Sequence, residues 1–252
     1  MNLNNSVIAI TGAGQGLGQM MAVTLAQSGA DLALLDVNED TLRQTQNQCS
    51  SYHVKAMIYK VDVTDEKNVE QTFNSIVDDF GQLDGLINNA GILRDGLLVK
   101  VKDGDMTKMS LAQFNAVINV NVTGSFLCGR EAATKMILTK RKGVIINISS
   151  VARAGNIGQT NYAASKAAVA TMATCWAKEL ARYGIRAAAI APGVIQTAMA
   201  DQIKSDAVDR LKKMIPLGRI GAPNEIAHAA IYILENDYFT GRVLEVDGGM
   251  RM

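Results

Sequence analysis

The chain has 252 residues, of which 48% are hydrophobic and 19% are charged, and its formal net charge is +1. This balance gives no electrostatic reason to expect binding to nucleic acid or to an anionic membrane. We find no apolar stretch of about 18 residues and no basic segment at the N-terminus, so we expect neither a transmembrane helix nor a signal peptide. Three widely spaced cysteines suit a reducing, cytoplasmic compartment, and the two histidines lack neighbouring metal ligands, so no metal site is expected.

Short β-branched or aliphatic runs alternate with longer segments of helical periodicity. Seven runs are predicted strands, at residues 7–11, 31–36, 54–61, 83–88, 143–149, 185–191 and 242–246. Several are almost wholly apolar, which is typical of parallel strands covered on both faces. The alternation predicts an α/β fold with a doubly wound parallel sheet. No linker or repeat divides the chain, so we expect residues 1–252 to form a single domain.

Two segments interrupt the alternation. Residues 99–110 are polar and contain Gly104, which predicts a surface loop or a short hairpin. Residues 193–221 separate the last two predicted strands and contain an amphipathic piece flanked by glycine and proline. We interpret this second segment as a substrate lid, with a purely structural helical excursion as the alternative.

A glycine-rich loop, TGAGQGLG at residues 11–18, joins the first strand to the first helix. Glycine permits a tight turn and lets backbone amides approach a pyrophosphate at a helix N-terminus. The second strand then ends in an acidic residue, which completes the context of a dinucleotide fingerprint. The loop is therefore predicted to bind the cofactor through Gly12, Gln15, Gly16, Leu17 and Gly18.

Asp36, at the end of the second strand, bears on the choice of cofactor. A carboxylate there accepts hydrogen bonds from the adenosine ribose and repels a 2′-phosphate, which favours NAD over NADP. The glycine loop contains no Lys or Arg that would bind such a phosphate. Arg43 or Lys60 folded inward would supply one, so NADP stays open as the alternative.

The segment NYAASK at residues 161–166 places a phenol and an ammonium four residues apart. On a helix, Tyr162 and Lys166 would lie on one face, one turn apart. An ordinary surface pair is the alternative. In a cofactor-binding chain, however, a nearby cation would favour the phenolate and draw the pKa of Tyr162 towards neutrality.

Taken in order, these and further motifs resemble the short-chain dehydrogenase/reductase family over essentially the whole chain. The matching stretches are TGAGQGLG (11–18), NNAG (88–91), NVNVTGSF (119–126), INISS (146–150), YAASK (162–166), PGVIQT (192–197) and VDGG (246–249). The resemblance implies a single Rossmann-type domain that forms a homo-oligomer, usually a tetramer or a dimer. It also implies a catalytic set of Asn121, a serine near position 150, Tyr162 and Lys166.

In this set Tyr162 would exchange the proton with the substrate oxygen while nicotinamide exchanges hydride. The serine would hydrogen-bond that oxygen. Lys166 would tune Tyr162 and bind the nicotinamide ribose, and Asn121 would hold a water in a relay to Lys166. The usual serine-to-tyrosine spacing indicates Ser149, whereas the strand alignment indicates Ser150. We favour Ser150, because a one-residue deletion fits a loop more easily than a buried strand.

The resemblance implies further cofactor contacts. The positions are Asp62 and Val63 along the adenine, Asn89, Ala90 and Gly91 along the nicotinamide-side ribose, and Pro192, Gly193, Val194, Ile195 and Thr197 towards the carboxamide. Plain core packing is the alternative for the apolar members of this set.

For the substrate, GILRDGLL (91–98), PLGRIGAPNEIA (216–227) and the ending DGGMRM resemble the 3-oxoacyl-(acyl-carrier-protein) reductase branch. That branch meets its acidic carrier with basic residues beside the active site. Arg141 matches one of them, and Tyr183, next to Arg182, occupies the place of another. The 99–110 segment and Asp36 fit this branch less well. The alternatives are an NAD-dependent dehydrogenase of a hydroxyacyl-CoA, a polyol or another secondary alcohol, and, more remotely, a non-catalytic cofactor-binding scaffold.

Overall fold

The computed structural model describes residues 1–196 and 212–251. The strands in these ranges are β1 (Val7–Thr11), β2 (Asp31–Asp36), β3 (Ala56–Lys60), β4 (Gly85–Asn88), β5 (Val99–Lys102), β6 (Asp105–Lys108), β7 (Gly143–Ile148), β8 (Ile185–Pro192) and β9 (Val243–Val246). The helices bounded within them are α1 (Gly16–Gln27), α2 (Glu39–Cys49), α3 (Glu66–Phe80), α4 (Leu111–Ile118), α5 (Ser125–Leu138), α6 (Thr160–Leu180) and α7 (Pro223–Glu235).

Seven strands form one parallel sheet in the order β3-β2-β1-β4-β7-β8-β9. They are the seven strands that the apolar runs predict, each within two residues of its predicted bounds. Every residue of the central strands β1, β4 and β7 is buried. Such strands need cover on both faces, and the helices provide it. The predicted doubly wound, Rossmann-type fold is confirmed.

Alternate side chains of the sheet enter two separate cores. Ile8 and Ile10 of β1 pack with residues of α1, α2 and α7, whereas Val7 and Ala9 pack with residues of α3, α5 and α6. This alternation follows from the two-residue period of a strand. It leaves the loops at the strand ends as the place where polar groups gather.

The interruption at residues 99–110 is a hairpin, one of the two forms that its sequence predicts. Strands β5 and β6 pair antiparallel, with Val101 opposite Met106, and all eight strand residues are exposed. The hairpin is not part of the main sheet. None of the helices in the described ranges is long and apolar enough to span a membrane.

The segment predicted to be a substrate lid falls largely on residues 197–211, outside the described residues. Its two flanks are paired: the Gln196 amide donates to the Gly221 carbonyl at 2.8 Å, and the Gly221 amide donates to the Val194 carbonyl at 2.9 Å. The described flanks therefore meet just beyond the carboxyl end of β8. The lid itself stays a prediction.

Candidate active site

Most of the predicted site residues follow the carboxyl ends of strands at one edge of the sheet. The strand order reverses between β1 and β4, because β2 and β3 lie on one side of β1 and the later strands lie on the other. In an open α/β sheet the crevice at such a reversal is where ligands bind. The loops after β1, β2, β4, β7 and β8 all open towards this edge.

The glycine loop after β1 has no room for side chains where the chain folds on itself. A Cβ on Gly18 would lie 2.1 Å from the Gly12 carbonyl oxygen. A Cβ on Gly12 would lie 2.9 Å from the side-chain nitrogen (Nδ2) of Asn89. Gly12 and Gly16 both have positive φ, at 65° and 57°. A Cβ on Gly16 would meet no atom within 4 Å, so this residue borders open space.

Helix α1 begins at Gly16 with its first amides free of any side-chain cap. Its N-cap residue, Gln15, makes no capping hydrogen bond, and the first turn, which includes Leu17, carries no acidic residue. By contrast, Asn38 caps α2 and Asp65 caps α3, and both of those helices have acidic first turns. The open amides and the positive end of the helix dipole suit an anion. The loop therefore fits the pyrophosphate of a dinucleotide.

Asp36 is held against the glycine loop by backbone amides. One carboxylate oxygen accepts from the Gly14 amide at 3.1 Å and the other accepts from the Asn38 amide at 3.1 Å. Arg43 does not reach this carboxylate, because it is paired with Glu39 on the surface of α2. Lys60 lies beside Asp36 in the register of β2 and β3, and it is exposed.

The loops after β1 and β4 are tied together by Thr11, which the sequence reading missed. Its hydroxyl oxygen accepts from the amides of Asn89 and Ala90, both at 3.0 Å. The Asn89 side chain donates to the carbonyls of Thr11 and Gly12, both at 3.1 Å. The position of Thr11, the last residue of a strand before the glycine loop, was the available signal.

Two further predicted contacts follow β3. The Asp62 carboxylate accepts from the amide and the hydroxyl of Thr64, at 2.9 and 2.8 Å, so its side chain orders its own turn. Val63 is buried in the core beneath α3 and α5, and a Cβ on Gly124 would lie 2.6 Å from its methyl carbon. The Val63 side chain is therefore part of the core, and only the backbone of Val63 could contact a ligand.

The positions after β8 form a closely packed turn. The Gly193 amide donates to the Val246 carbonyl at 2.9 Å, and a Cβ on Gly193 would lie 2.7 Å from Cα of Asp247. Pro192 ends β8, and Ile195 is buried in the core. A cavity of about 230 Å³ borders Val194 and Ile195 at this edge of the sheet. Thr197 lies outside the described residues.

Tyr162 and Lys166 lie one turn apart on α6, as predicted. The Lys166 ammonium is 5.5 Å from the centre of the Tyr162 ring and donates to the Ile148 carbonyl at 2.8 Å. Lys166 is buried, and desolvation lowers its pKa to about 8. Removing an ammonium from water disfavours its charged form, and this shift is the result.

The expected effect of Lys166 on Tyr162 is wrong for the protein alone. Burial raises the pKa of Tyr162, and the Asp95 carboxylate raises it further, while a hydrogen bond with the Ser150 side chain acts in the opposite direction. Desolvation is the largest of these effects, and the Lys166 ammonium, which donates to the Ile148 carbonyl, is not among the groups that lower the pKa of Tyr162. The phenol is therefore protonated at neutral pH.

The two candidate serines point in different directions. The Ser149 hydroxyl is buried and donates to the main-chain carbonyl of Lys166 at 2.7 Å. The Ser150 side chain interacts with Tyr162 and accepts from the Ala152 amide at 3.1 Å. Adjacent residues at the end of a strand face opposite sides, which explains the division.

Asn121 lies in a π-helical turn, Asn119–Gly124, between α4 and α5. Its side-chain oxygen accepts from the Ile92 amide at 2.8 Å, and its side-chain nitrogen donates to Ser165 at 3.0 Å. A Cβ on Gly91 would lie 3.3 Å from the Asn121 oxygen and 3.5 Å from the Lys166 ammonium. Asn121 and Lys166 therefore flank Gly91. Because Gly91 has no side chain, a ligand could approach its backbone closely.

The basic residues expected beside the active site lie at the other edge of the sheet. Arg141 precedes β7 and binds the buried carboxylate of Asp84 at 2.7 Å, next to an open cavity of about 620 Å³. Arg182 precedes β8 and stacks on Tyr183. In a parallel sheet the amino ends of β7 and β8 are opposite the carboxyl ends that carry Ser150. The expected patch is thus absent from the active-site edge of its own chain, among the described residues.

In the described part of the chain, no cluster of His, Cys, Asp and Glu could hold a metal ion. The site instead combines a glycine-lined crevice for an anion with a buried lysine and a protonated phenol. Such a combination suits a hydride-accepting or hydride-donating cofactor beside a proton donor.

Comparison with known proteins supports this interpretation. A family profile described as enoyl-(acyl carrier protein) reductase matches residues 12–251. The 3-oxoacyl-(acyl-carrier-protein) reductase of Thermotoga maritima is 40% identical over 99% of both chains. The chain belongs to the short-chain dehydrogenase/reductase family. It is therefore an enzyme that acts on CH–OH or keto groups with a nicotinamide cofactor, and the resemblance inferred from its motifs is confirmed.

Two other relatives indicate the range of reactions in this family. The mouse 3-oxoacyl-(acyl-carrier-protein) reductase is 36% identical over 98% of this chain and 99% of its own. A (2S)-[(R)-hydroxy(phenyl)methyl]succinyl-CoA dehydrogenase subunit of Thauera aromatica is 34% identical over 99% of this chain and 98% of its own. Both names refer to acyl groups, one on a carrier protein and one on CoA.

Proposed function

We propose that this enzyme reduces the 3-oxo group of an acyl thioester, carried on acyl carrier protein or CoA, to a secondary alcohol. The observation that carries the proposal is the arrangement of Ser150, Tyr162 and Lys166 at the edge of the sheet that also bears the glycine loop. The names of the full-length relatives supply the substrate class. A homo-oligomer, a tetramer by family resemblance, is part of the same proposal.

In this reaction the bound nicotinamide supplies the hydride. The protein has to deliver a proton to the carbonyl oxygen and to stabilise the charge that develops there. Tyr162 is the proton donor, because burial raises its pKa and keeps it protonated. The Ser150 hydroxyl is placed to hydrogen-bond the same oxygen.

Lys166 and Asn121 have separate roles beside Tyr162. Lys166 is buried next to the Tyr162 ring, and we propose that its ammonium holds the ribose on the nicotinamide side. The two residues flank Gly91, where the ribose on the nicotinamide side would lie. We propose that Asn121 orders a water that returns a proton to Lys166.

For the cofactor, we propose NAD rather than NADP. The Asp36 carboxylate is fixed by two amides at the edge of the glycine loop, where it would meet the adenosine ribose. A 2′-phosphate there would be repelled. Arg43, the cation nearest to Asp36 in sequence, is already paired with Glu39.

A second candidate reaction, reduction of an enoyl thioester, comes from the description of the matching family profile. The interaction of the Ser150 side chain with Tyr162 favours a carbonyl, because both hydroxyl groups could donate to one oxygen. The oxidation of a hydroxyacyl-CoA, for which the Thauera relative is named, is the reverse of the proposed reaction on a related substrate.

The test is a substrate panel followed by nicotinamide absorbance. Acetoacetyl, crotonyl and 3-hydroxybutyryl thioesters are each offered with both cofactors. We expect rapid oxidation of NADH by the acetoacetyl thioester and a loss of about 10² to 10⁴ in rate in Tyr162→Phe. Turnover of the crotonyl thioester alone would replace the proposal with enoyl reduction. No turnover with any member, at full cofactor binding, would favour the scaffold alternative.

A further inference from the structure

Ser150 is the N-cap residue of a short 3₁₀ turn, Val151–Ala154, that follows β7. Its hydroxyl oxygen accepts from the Ala152 amide and its carbonyl accepts from the Arg153 amide, both at 3.1 Å. Because the hydroxyl oxygen accepts a bond from the turn, its own proton is left for another acceptor. The direction in which Ser150 donates therefore depends on where this turn lies.

An ion pair joins the turn to the edge strand of the main sheet. The Arg153 guanidinium donates to one carboxylate oxygen of Glu245 at 2.6 Å, across 92 residues of sequence. Glu245 belongs to β9, where the parallel register places it beside Ala191 of β8. Since the sheet fixes β9, Glu245 gives the turn a rigid point of attachment.

Glu245 binds two arginines, and they differ in their surroundings. Arg153 and Glu245 are 24% and 34% exposed, so their pair is partly shielded from water. Arg251 reaches the other carboxylate oxygen of Glu245 at 3.3 Å, but its side chain is 85% exposed and it lies near the C-terminus. The pair with Arg251 is therefore the weaker of the two, and it has no connection to the turn after Ser150.

We propose that Arg153 and Glu245 are positioning residues, whose ion pair holds the turn so that the Ser150 hydroxyl points at the substrate oxygen. This inference rests on the proposed function, in which Ser150 donates to that oxygen. The buried side chains of Val151 and Ala152 also anchor the turn, so the ion pair refines the position of the hydroxyl. We expect its loss to lower kcat by about threefold to tenfold, because a displaced donor bonds less well to a developing charge.

The experiment is a double-mutant cycle on kcat for an acetoacetyl thioester with NADH. Arg153→Gln is made in the native enzyme and in Ser150→Ala, and kcat is measured at saturating concentrations of thioester and cofactor. Arg251→Gln is the matched control, because it removes a cation from the same carboxylate without a change in the turn. Glu245→Gln removes the pair from its other side, and Arg153→Lys keeps a cation. Urea unfolding of each variant measures stability separately.

We expect Arg153→Gln and Glu245→Gln each to lower kcat by about threefold to tenfold. Arg153→Lys should restore most of the loss, and Arg251→Gln should leave kcat unchanged. In Ser150→Ala, Arg153→Gln should cause no further loss, since residues that act through one group are not additive. An equal loss in the native enzyme and in Ser150→Ala would overturn the proposal, because the pair would then act on another group. A shifted urea midpoint with an unchanged kcat would also overturn it, because the role would then be only structural.

Failure of the proposed function is distinguished by amide hydrogen exchange. If the native enzyme does not reduce the thioester, the proposed reaction fails. The inference then depends on the Ala152 and Arg153 amides, which bond to Ser150. Both should exchange faster by about threefold or more in Glu245→Gln and at the native rate in Arg251→Gln. Unchanged rates in Glu245→Gln would mean that the ion pair does not hold the turn, and the inference would fall.

Discussion

Ser149 and Ser150 are adjacent, yet the structure predicts opposite consequences when each is replaced by alanine. The Ser149 hydroxyl is buried and donates to the Lys166 carbonyl at 2.7 Å, whereas the Ser150 side chain faces Tyr162. Ser149→Ala should therefore affect stability, and Ser150→Ala should affect turnover. Ser51→Ala is a matched control, because its hydroxyl is exposed and bonds only to the Gln48 carbonyl.

The magnitudes follow from what each hydroxyl contacts. Loss of the buried Ser149 hydrogen bond costs about 1–2 kcal/mol of unfolding free energy, or about 2–8 °C in Tm for a chain of this size. Ser150→Ala loses a bond to the Ala152 amide at a partly exposed position, which costs less than about 1 kcal/mol. Its rate should fall by about 10² to 10³, the usual cost of one donor to a developing oxyanion.

The assay pairs urea unfolding with kcat and KM for an acetoacetyl thioester. Turnover per folded molecule in Ser149→Ala should stay close to that of the native enzyme and of Ser51→Ala. If Ser149→Ala instead loses turnover by two orders of magnitude while Ser150→Ala remains active, the assignment of the two side chains is refuted. Equal losses in both variants would show that the turn after β7 acts as a unit.

Two further predictions concern charge. In Asp36→Asn, the ratio of kcat/KM for NADPH to that for NADH should rise about tenfold or more, because the repulsion of a 2′-phosphate is removed; an unchanged ratio would contradict the role of Asp36. Lys166→Met should abolish turnover yet raise unfolding free energy at neutral pH by about 1–2 kcal/mol. The buried ammonium, with its pKa lowered to about 8, costs about 3 kcal/mol, and the lost bond to the Ile148 carbonyl offsets part of the gain. Since the unfolded chain binds the extra proton between about pH 8 and 10, native stability rises in that interval and the advantage of the variant should shrink. Urea midpoints that show a destabilised variant at every pH would refute this reasoning.

The fold was predictable because its strands are continuous apolar runs in a chain where helices alternate with them. Largely apolar runs such as 7–11 and 143–149 are expected only as strands of a sheet that is covered on both faces. The hairpin of β5 and β6 was harder to predict. Its strand residues are all exposed and pack against no core, so the sequence indicated either a loop or a hairpin.

The site was predictable where a local motif carries the geometry, and not where burial decides the chemistry. The spacing of Tyr162 and Lys166 is a property of one helix. The pKa of Tyr162 depends on how much water the rest of the chain excludes. It also depends on Asp95, which lies in a loop far from Tyr162 in sequence. The position of Arg141 was predictable from the sequence. Arg141 lies just before a parallel strand, so it is at the opposite edge of the sheet from Ser150, which follows the same strand.

Burial pushes the two central ionisable groups in the direction of their neutral forms. It raises the pKa of Tyr162 and lowers that of Lys166, since each charged form loses hydration. A neutral phenol is the form that donates a proton to a carbonyl, whereas oxidation of an alcohol requires the phenolate. The same desolvation therefore costs stability at Lys166 and keeps Tyr162 in its neutral form.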